Sequence, residues 1–302
     1  MDSIILLFIC LITGVVLQRV KAFPANSYVA LNQFVIHISL PALALFYIPN
    51  VAIDSKLLYP LGIAWLGFAL AYLFINTLSK IFGWSRKLTG CLILLGGLGN
   101  TSFVGFPVIE ALYGKQGLET AIIVDQPGSF MVMATLGIIV AAVYSRGKPD
   151  AKVIAQKIFL FPPFIAFFIA IAMNLCHFQF VESWQSVFHK LGNTVTPIAL
   201  VAVGLQLRLD KRSKHFGFLA LGLFFKLMVT PAFFYFLYKI VLQQNGLAIN
   251  VSITEAAMAP MITASVLATS YGLKPKLSSM MIGIGIPLSF VTLAFWYWLI
   301  NN

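Results

Sequence analysis

Residues able to do chemistry lie inside stretches of this sequence that are otherwise apolar. The run Gly96-Gly97-Leu98-Gly99-Asn100-Thr101-Ser102, followed by Gly105-Phe106-Pro107, interrupts an apolar segment. Glycine adds backbone freedom, and Pro107 cannot donate a hydrogen bond and clashes with the preceding turn, so a helix breaks here. Asn100, Thr101 and Ser102 place an amide and two hydroxyls at the break, where they can meet an ion or a carboxylate. If the helix restarts near Ser102, its free N–H groups suit an anion. A second break is expected at Glu255-Ala256-Ala257-Met258-Ala259-Pro260. Three ionisable residues, Lys226, Glu255 and Asp125 (followed by Gln126), also fall within apolar runs. A charge at the centre of a bilayer costs roughly 2.5–3.5 kcal/mol on insertion scales, so each needs a partner or a function. Such a set could bind and release ions. An intramembrane enzyme is the weaker alternative, because there is no His-Glu-x-x-His motif, no Gly-x-Ser-x-Gly elbow and no paired intramembrane aspartates on neighbouring helices. Gly97-Leu98-Gly99 lacks the third glycine and the strand context of a nucleotide fingerprint.

The surrounding elements must be membrane helices. Of 302 residues, 60% are hydrophobic and only 10% charged, with a mean hydropathy of +0.94, against about 25% charged in soluble domains. That excludes an ordinary cytosolic enzyme, a disulfide scaffold, a disordered protein and a nucleic-acid binder. The fold class expected is an all-α polytopic membrane protein. Cutting at charged clusters gives ten spans of about 20 residues: 3–20, 26–48, 57–79, 88–113, 118–144, 158–175, 188–207, 216–240, 247–271 and 277–299. The first reads as a retained helix rather than a signal peptide. The net charge of +11 belongs to the loops, five alternate ones holding fifteen of the twenty Lys and Arg. Basic residues stay cytoplasmic, so both termini are expected outside the cytoplasm. Cys10, Cys91 and Cys176 lie in apolar stretches without metal-ligand spacing and read as packing residues.

Five spans precede the basic loop 145–157 and five follow it, so 158–302 is inserted upside down relative to 1–144. Tyr113-Gly114 with Pro127-x-Ser129-Phe130-x-x-x-Ala134, and Tyr271-Gly272 with Pro287-x-Ser289-Phe290-x-x-x-Ala294, are a trace of that duplication. Aligning the Tyr-Gly pairs sets Asn100 opposite Met258 and Ser102 opposite Pro260. Glycine and proline also merely kink membrane helices, but two breaks at repeat-related positions are what a crossing site requires. Inverted repeats with broken helices are a common construction of secondary transporters. A channel, which also uses broken helices, stays open as an alternative.

The segment Leu98-Gly99-Asn100-Thr101-Ser102-Phe103-Val104-Gly105-Phe106-Pro107-Val108-Ile109-Glu110-Ala111-Leu112-Tyr113-Gly114 resembles the Asn-Thr-x-x-x-Gly-x-Pro-x-x-x-Ala-x-Tyr-Gly segment of the auxin efflux carrier family, which includes plant auxin carriers and bacterial permeases and is distantly related to bile-acid symporters. The resemblance continues at Asn32-Gln33-Phe34-Val35 with Pro41, at Lys226 with Pro231-Ala232, and at Glu255 to Pro260. It implies a 5+5 inverted repeat whose broken helices 4 and 9 cross, a scaffold of spans 1, 2, 6 and 7, and a transport domain of spans 3–5 and 8–10 that moves like an elevator. It implies a small organic anion as substrate, such as malate, malonate or an auxin-like acid, with Asn100 on the carboxylate. Thr101, Ser102, Met258, Ala259, Pro260 and Asn32 are the further candidate substrate contacts, and Gly99, Gly105 and Pro107 shape the break.

One departure from the family pattern is Glu255 where plant carriers tend to have a neutral residue; another is Ala259 at the usual crossover proline, leaving only Pro260. Glu255 and Asp125, with Gln126, are therefore expected to carry a coupling Na+ or proton, Na+ lying against Glu255 and Asn100, with Lys226 balancing charge. The alternatives are a structural ion pair between Lys226 and a carboxylate, and an uncoupled carrier driven by membrane potential. His37 is expected to be a hydrogen-bonded packing residue. No resident cofactor and no nucleic acid are expected. Lipid surrounds the chain in the inner membrane, and a homodimer through the scaffold follows by resemblance.

Overall fold

The computed structural model describes residues 2–24, 26–50, 57–145, 152, 156, 159–206 and 216–302. Among them the chain is helical, without strands. We label the helices α1 (Asp2–Leu17), α2 (Ser27–Asn50), α3 (Leu58–Phe82), α4 (Arg86–Gly97), α5 (101–113), α6 (115–144), α7 (Pro162–Leu175), α8 (Glu182–Gly192), α9 (Val195–Gln206), α10 (Phe216–Val241), α11 (Leu247–Ala256), α12 (Ile262–Ser270) and α13 (Pro275–Asn301). Among the described residues five helical runs are long and apolar enough to cross a membrane: Ser27–Asn50, Leu58–Phe82, Thr101–Tyr144, Phe216–Val241 and Pro275–Asn301. The third is bent at Gly114, whose φ of 68° and ψ of −166° separate α5 from α6. The outer surface is apolar as well. Leu58, Leu73, Ile81 and Val291 are each 64–69% exposed, a burden that only lipid relieves. The protein is therefore a multi-pass membrane protein.

Most expected spans coincide with helical elements to within a few residues. The seventh begins earlier, at Glu182, and is split by a turn after Gly192. The reason is local. The stretch from Glu182 to Lys190 is amphipathic, and at Gly192 a Cβ would come within 2.8 Å of Leu43 Cδ1, so the chain must bend where it meets α2. Cys10 and Cys91 are buried, but Cys176 is exposed just past α7, because it lies outside the packed face. Lys56, Arg146, Lys148, Lys157, Arg208, Lys211, Arg212 and Lys214 fall outside the described residues; of the loop 145–157, only Ser145, Lys152 and Gln156 are described.

Prolines explain much of the helical irregularity. Of the π-turns in the described residues, those at Val35–Ser39, Thr101–Gly105 and Phe225–Val229 are each followed two residues later by a proline: Pro41, Pro107 and Pro231. The proline ring collides with the carbonyl four residues back, which lies within the π-turn, and the wider turn makes room for it. In α10 the carbonyl orphaned by Pro231 is that of Leu227, and the Trp296 indole N–H donates to it at 2.9 Å.

Packing joins α1 to α9, α2 to α9, and the second half of α2 to α7 and α8. Elsewhere α3 packs on α4 and α11, and α4 on α12. The groups are bridged by α9 on Thr101–Gly105 and 106–124, by α1 and the second half of α2 on 106–124, and by α7 on Asp125–Phe130. The α1–α9 crossing is made at glycines. A Cβ on Gly204 would strike the Leu11 carbonyl and come 2.8 Å from Gly14 Cα, so the two backbones touch as small residues permit in membranes. Because the obstacle is backbone, Gly204→Val is expected to cost about 2 kcal/mol or more. A lowered unfolding midpoint of the purified protein checks this.

Candidate functional site

Two helices are interrupted at one place. After α4 the chain is extended at Leu98, and after α11 it turns through Ala257 and Met258. The segments 98–100 and 259–261 then pair antiparallel: the Asn100 N–H donates to the Ala259 carbonyl at 2.8 Å, and the Met261 N–H to the Leu98 carbonyl at 2.9 Å. Gly99 and Pro260 face each other without bonding, so the missing proline N–H costs nothing, and the close approach of a non-bonded pair suits glycine. The helices restart at Thr101 and Ile262, 161 residues apart, whereas the Tyr-Gly pairs are 158 apart. Both glycines of those pairs take positive φ, 68° at Gly114 and 67° at Gly272. Counted from the restarts, Met261 stands where Asn100 does, and Met258 belongs to the turn after α11. Part of the difference is the wide π-turn that opens α5.

Side chains of four elements converge on the pairing. The Thr101 hydroxyl donates to Asp125 Oδ1 at 2.6 Å, and the Gln126 amide donates to Asp125 Oδ2 at 3.1 Å. Ser102 Oγ lies beside the same carboxylate without completing a hydrogen bond. Lys226, buried in the π-turn of α10, donates from Nζ to the Ala256 carbonyl at 2.9 Å. Glu255 is fully buried in the last turn of α11, within electrostatic reach of Asp125 and Lys226. Its carboxylate rests on Gly105, where a Cβ would come 2.5 and 2.7 Å from its oxygens. Among the described residues Lys226 makes no direct ion pair with a carboxylate; its hydrogen bond goes to a helix-end carbonyl, with Glu255 in electrostatic reach. Both Glu255 oxygens, together with Asn100 Nδ2 and Oδ1, are enclosed and bond to no group of the described chain. Buried polar groups are normally paired, so these atoms suit something other than the chain itself.

The structure thus brings together Gly99, Asn100, Thr101, Ser102, Gly105, Asp125, Gln126, Lys226, Glu255, Ala259 and Pro260, with Pro107 in the first turns of α5. Asn32 lies elsewhere, on the part of α2 that packs against α9, with a buried Oδ1 that makes no hydrogen bond. His37 bonds the Gln33 carbonyl of its own helix at 3.0 Å but is exposed, not packed inside. Sequence reasoning missed the backbone partners Leu98, Ala256 and Met261. A pairing between distant backbone atoms leaves no residue signature. Among the described residues no three His, Cys, Asp or Glu side chains gather as for a transition metal.

The profile of the membrane transport protein family matches residues 1–297. The chain belongs to this family, that of the auxin efflux carriers. A relative from Methanocaldococcus jannaschii, described as an uncharacterized transporter, is 28% identical over 100% of this chain and 99% of its own length. Another uncharacterized transporter, from Methanothermobacter thermautotrophicus, is 25% identical over 98% of this chain and 96% of its own. Membership in the auxin efflux carrier family points to a membrane transporter rather than an enzyme.

In this transporter Gly105 lies directly under the Glu255 carboxylate. A methyl there strikes the end of a flexible side chain rather than backbone, so Gly105→Ala should keep its unfolding midpoint within a few degrees of wild type. The Glu255 carboxylate must then move. Transport by Gly105→Ala is expected to fall about tenfold, the equivalent of roughly 1.4 kcal/mol, in a vesicle flux assay. In a Glu255→Ala background the added methyl should have no further effect.

Proposed function

We propose that the chain is a secondary transporter of a small organic anion, a carboxylate such as malate or malonate or an auxin-like acid, coupled to a monovalent cation. The observation that carries this is the enclosed set of unpartnered polar atoms, Asn100 Nδ2 and Oδ1 with the Glu255 carboxylate, beside two paired helix breaks. The helix restarts at Thr101 and Ile262 direct N–H groups toward the crossing, and such ends attract anions. Asn100 Nδ2 is the donor for a substrate carboxylate, with Thr101, Ser102, Met258, Ala259 and Pro260 around it.

The electrostatics of the end of α11 assign the cation to Glu255. A helix C-terminus carries partial negative charge, and Glu255 adds a carboxylate to that end of α11. Asp125, held by Thr101 at the first residue of α5, sits instead at a favourable positive end. Glu255 is the carboxylate in greater need of an added positive charge, and its oxygens with Asn100 Oδ1 are the hard donors that suit Na+ or a proton. Coupling matters energetically: an anion entering a negative-inside cell works against about 2.3 kcal/mol per charge per 100 mV.

The motion proposed is an elevator-type displacement of spans 3–5 and 8–10 against a scaffold of spans 1, 2, 6 and 7, each body drawing spans from both halves of a 5+5 inverted repeat. The bridging contacts of α9, α1 and α7 supply the faces that slide. The setting is the cell membrane, with both termini outside the cytoplasm and a homodimer formed through the scaffold.

The test is exchange of labelled malate or malonate in proteoliposomes with and without Na+ or proton gradients. Gradient-driven accumulation by wild type, abolished by Asn100→Ala and uncoupled from the gradient by Glu255→Gln, is the expected result. Flux that follows membrane potential alone and ignores every cation gradient would replace coupling with uniport.

A further inference from the structure

We propose that the Lys226 ammonium is a resident cation of the crossing: a positioning residue that closes the carboxyl end of α11 and keys into Gly99, so holding the two breaks in register. Glu255 and Asn100, the groups assigned above to the cargo, are oriented by that register, and to this extent the inference rests on the crossing being the transport site.

The carbonyls of Ile253, Thr254 and Glu255 are taken by backbone N–H groups of Ala257 and Met258. The carbonyl of Ala256 is the next that the broken helix leaves over, and Lys226 Nζ supplies its donor at 2.9 Å. The same ammonium lies against the other break. A Cβ on Gly99 would come 3.1 Å from Lys226 Nζ and 3.4 Å from its Cε, and 3.6 Å from the Glu255 carbonyl. Gly99 is therefore a notch that receives the end of the lysine, directly opposite Pro260 in the pairing. One side chain of α10 thus touches both interrupted segments, and does so with the sign of charge that a helix C-terminus prefers. Its position is fixed from behind: the π-turn Phe225–Val229 carries it, and that turn is held by Thr230 Oγ1 on the Phe225 carbonyl and by Trp296 on Leu227. Neither Glu255 oxygen has a hydrogen-bond donor, so the direct contacts of the ammonium are with backbone.

The inference is tested on the full-length protein in detergent, without any transported anion, so that it can fail while the transport reading stands. Lys226→Ala leaves room for a primary amine in place of the missing chain end. Propylammonium should raise the unfolding midpoint of Lys226→Ala in a saturable manner, while tetramethylammonium at equal ionic strength should not, and neither should act on wild type or on Lys226→Met, whose side chain fills the space. Absence of an amine-specific rise overturns the proposal. Should Lys226→Ala not fold, hydrogen exchange in Lys226→Met decides: the Asn100 and Met261 amides, which make the pairing, should exchange at least tenfold faster than in wild type, and unchanged protection overturns it. In proteoliposomes, malonate exchange lost in Lys226→Ala should return with propylammonium. If the midpoint responds but exchange never does in any variant, wild type included, the substrate reading fails and the positioning role stands.

Discussion

A backbone N–H or C=O inside a membrane must find a partner within the protein, and the rest of this structure follows from that constraint. A continuous helix satisfies it by itself, but a broken helix does not, since lipid offers nothing to the freed groups. Here two breaks satisfy each other. Leu98 and Asn100 exchange hydrogen bonds with Met261 and Ala259, and the one residue that cannot donate, Pro260, occupies the position where no donation is required. Neither break would be tolerable alone. Gly285 on α13 completes the arrangement: a Cβ there would come 3.0 Å from Pro260 Cδ and 2.8 Å from Leu223 Cδ2, so the proline ring needs that glycine behind it.

The glycines around the crossing do different things, and composition alone would not separate them. Gly97 makes room for α3, where a Cβ would come 2.8 Å from Phe68 Cδ2. Gly99 receives Lys226 and Gly105 receives Glu255. Gly114 has no neighbour within 4 Å of a Cβ and is required for its positive φ alone. Packing, charge accommodation and backbone conformation are thus distributed over residues 97–114, which is why that stretch reads as a motif when taken whole.

Much of this was legible in the sequence. The breaks announce themselves through Gly99, Asn100, Pro107 and Pro260, and the charges through their conflict with the apolar runs around Asp125, Lys226 and Glu255. Element positions follow from hydropathy because lipid enforces it. What could not be read was what each group touches. From the sequence Lys226 is expected to balance charge, with a direct ion pair as the alternative; its bond to the Ala256 carbonyl depends on where α11 ends in space, which its sequence position does not report. The Tyr-Gly alignment set Met258 against Asn100, but α5 is three residues longer than α12 between its restart and the Tyr, and no periodicity reports that. The split between α8 and α9 was hidden too, because Gly192 and Leu43 meet only in three dimensions.

Three buried charges at one crossing are best understood by which end of a helix each occupies. Asp125 is tied by Thr101 to the amino end of α5, and Lys226 to the carboxyl end of α11, so the peptide dipoles favour both as they stand. Glu255 sits in the last turn of α11, where the dipole opposes a negative charge, and its oxygens lie on Gly105 without a donor. Removing the opposition by filling the site with the lysine would leave nothing exchangeable, since a tethered ammonium cannot be released on the other side of the membrane. Lys226 bonds the Ala256 carbonyl, while the Glu255 carboxylate and the Asn100 amide bond to nothing in the described chain; under the transport reading proposed above, the first is a fixed charge that holds the crossing and the other two are left for ligands that come and go. That division between permanent and exchangeable charge is what a carrier needs from a site buried in hydrocarbon.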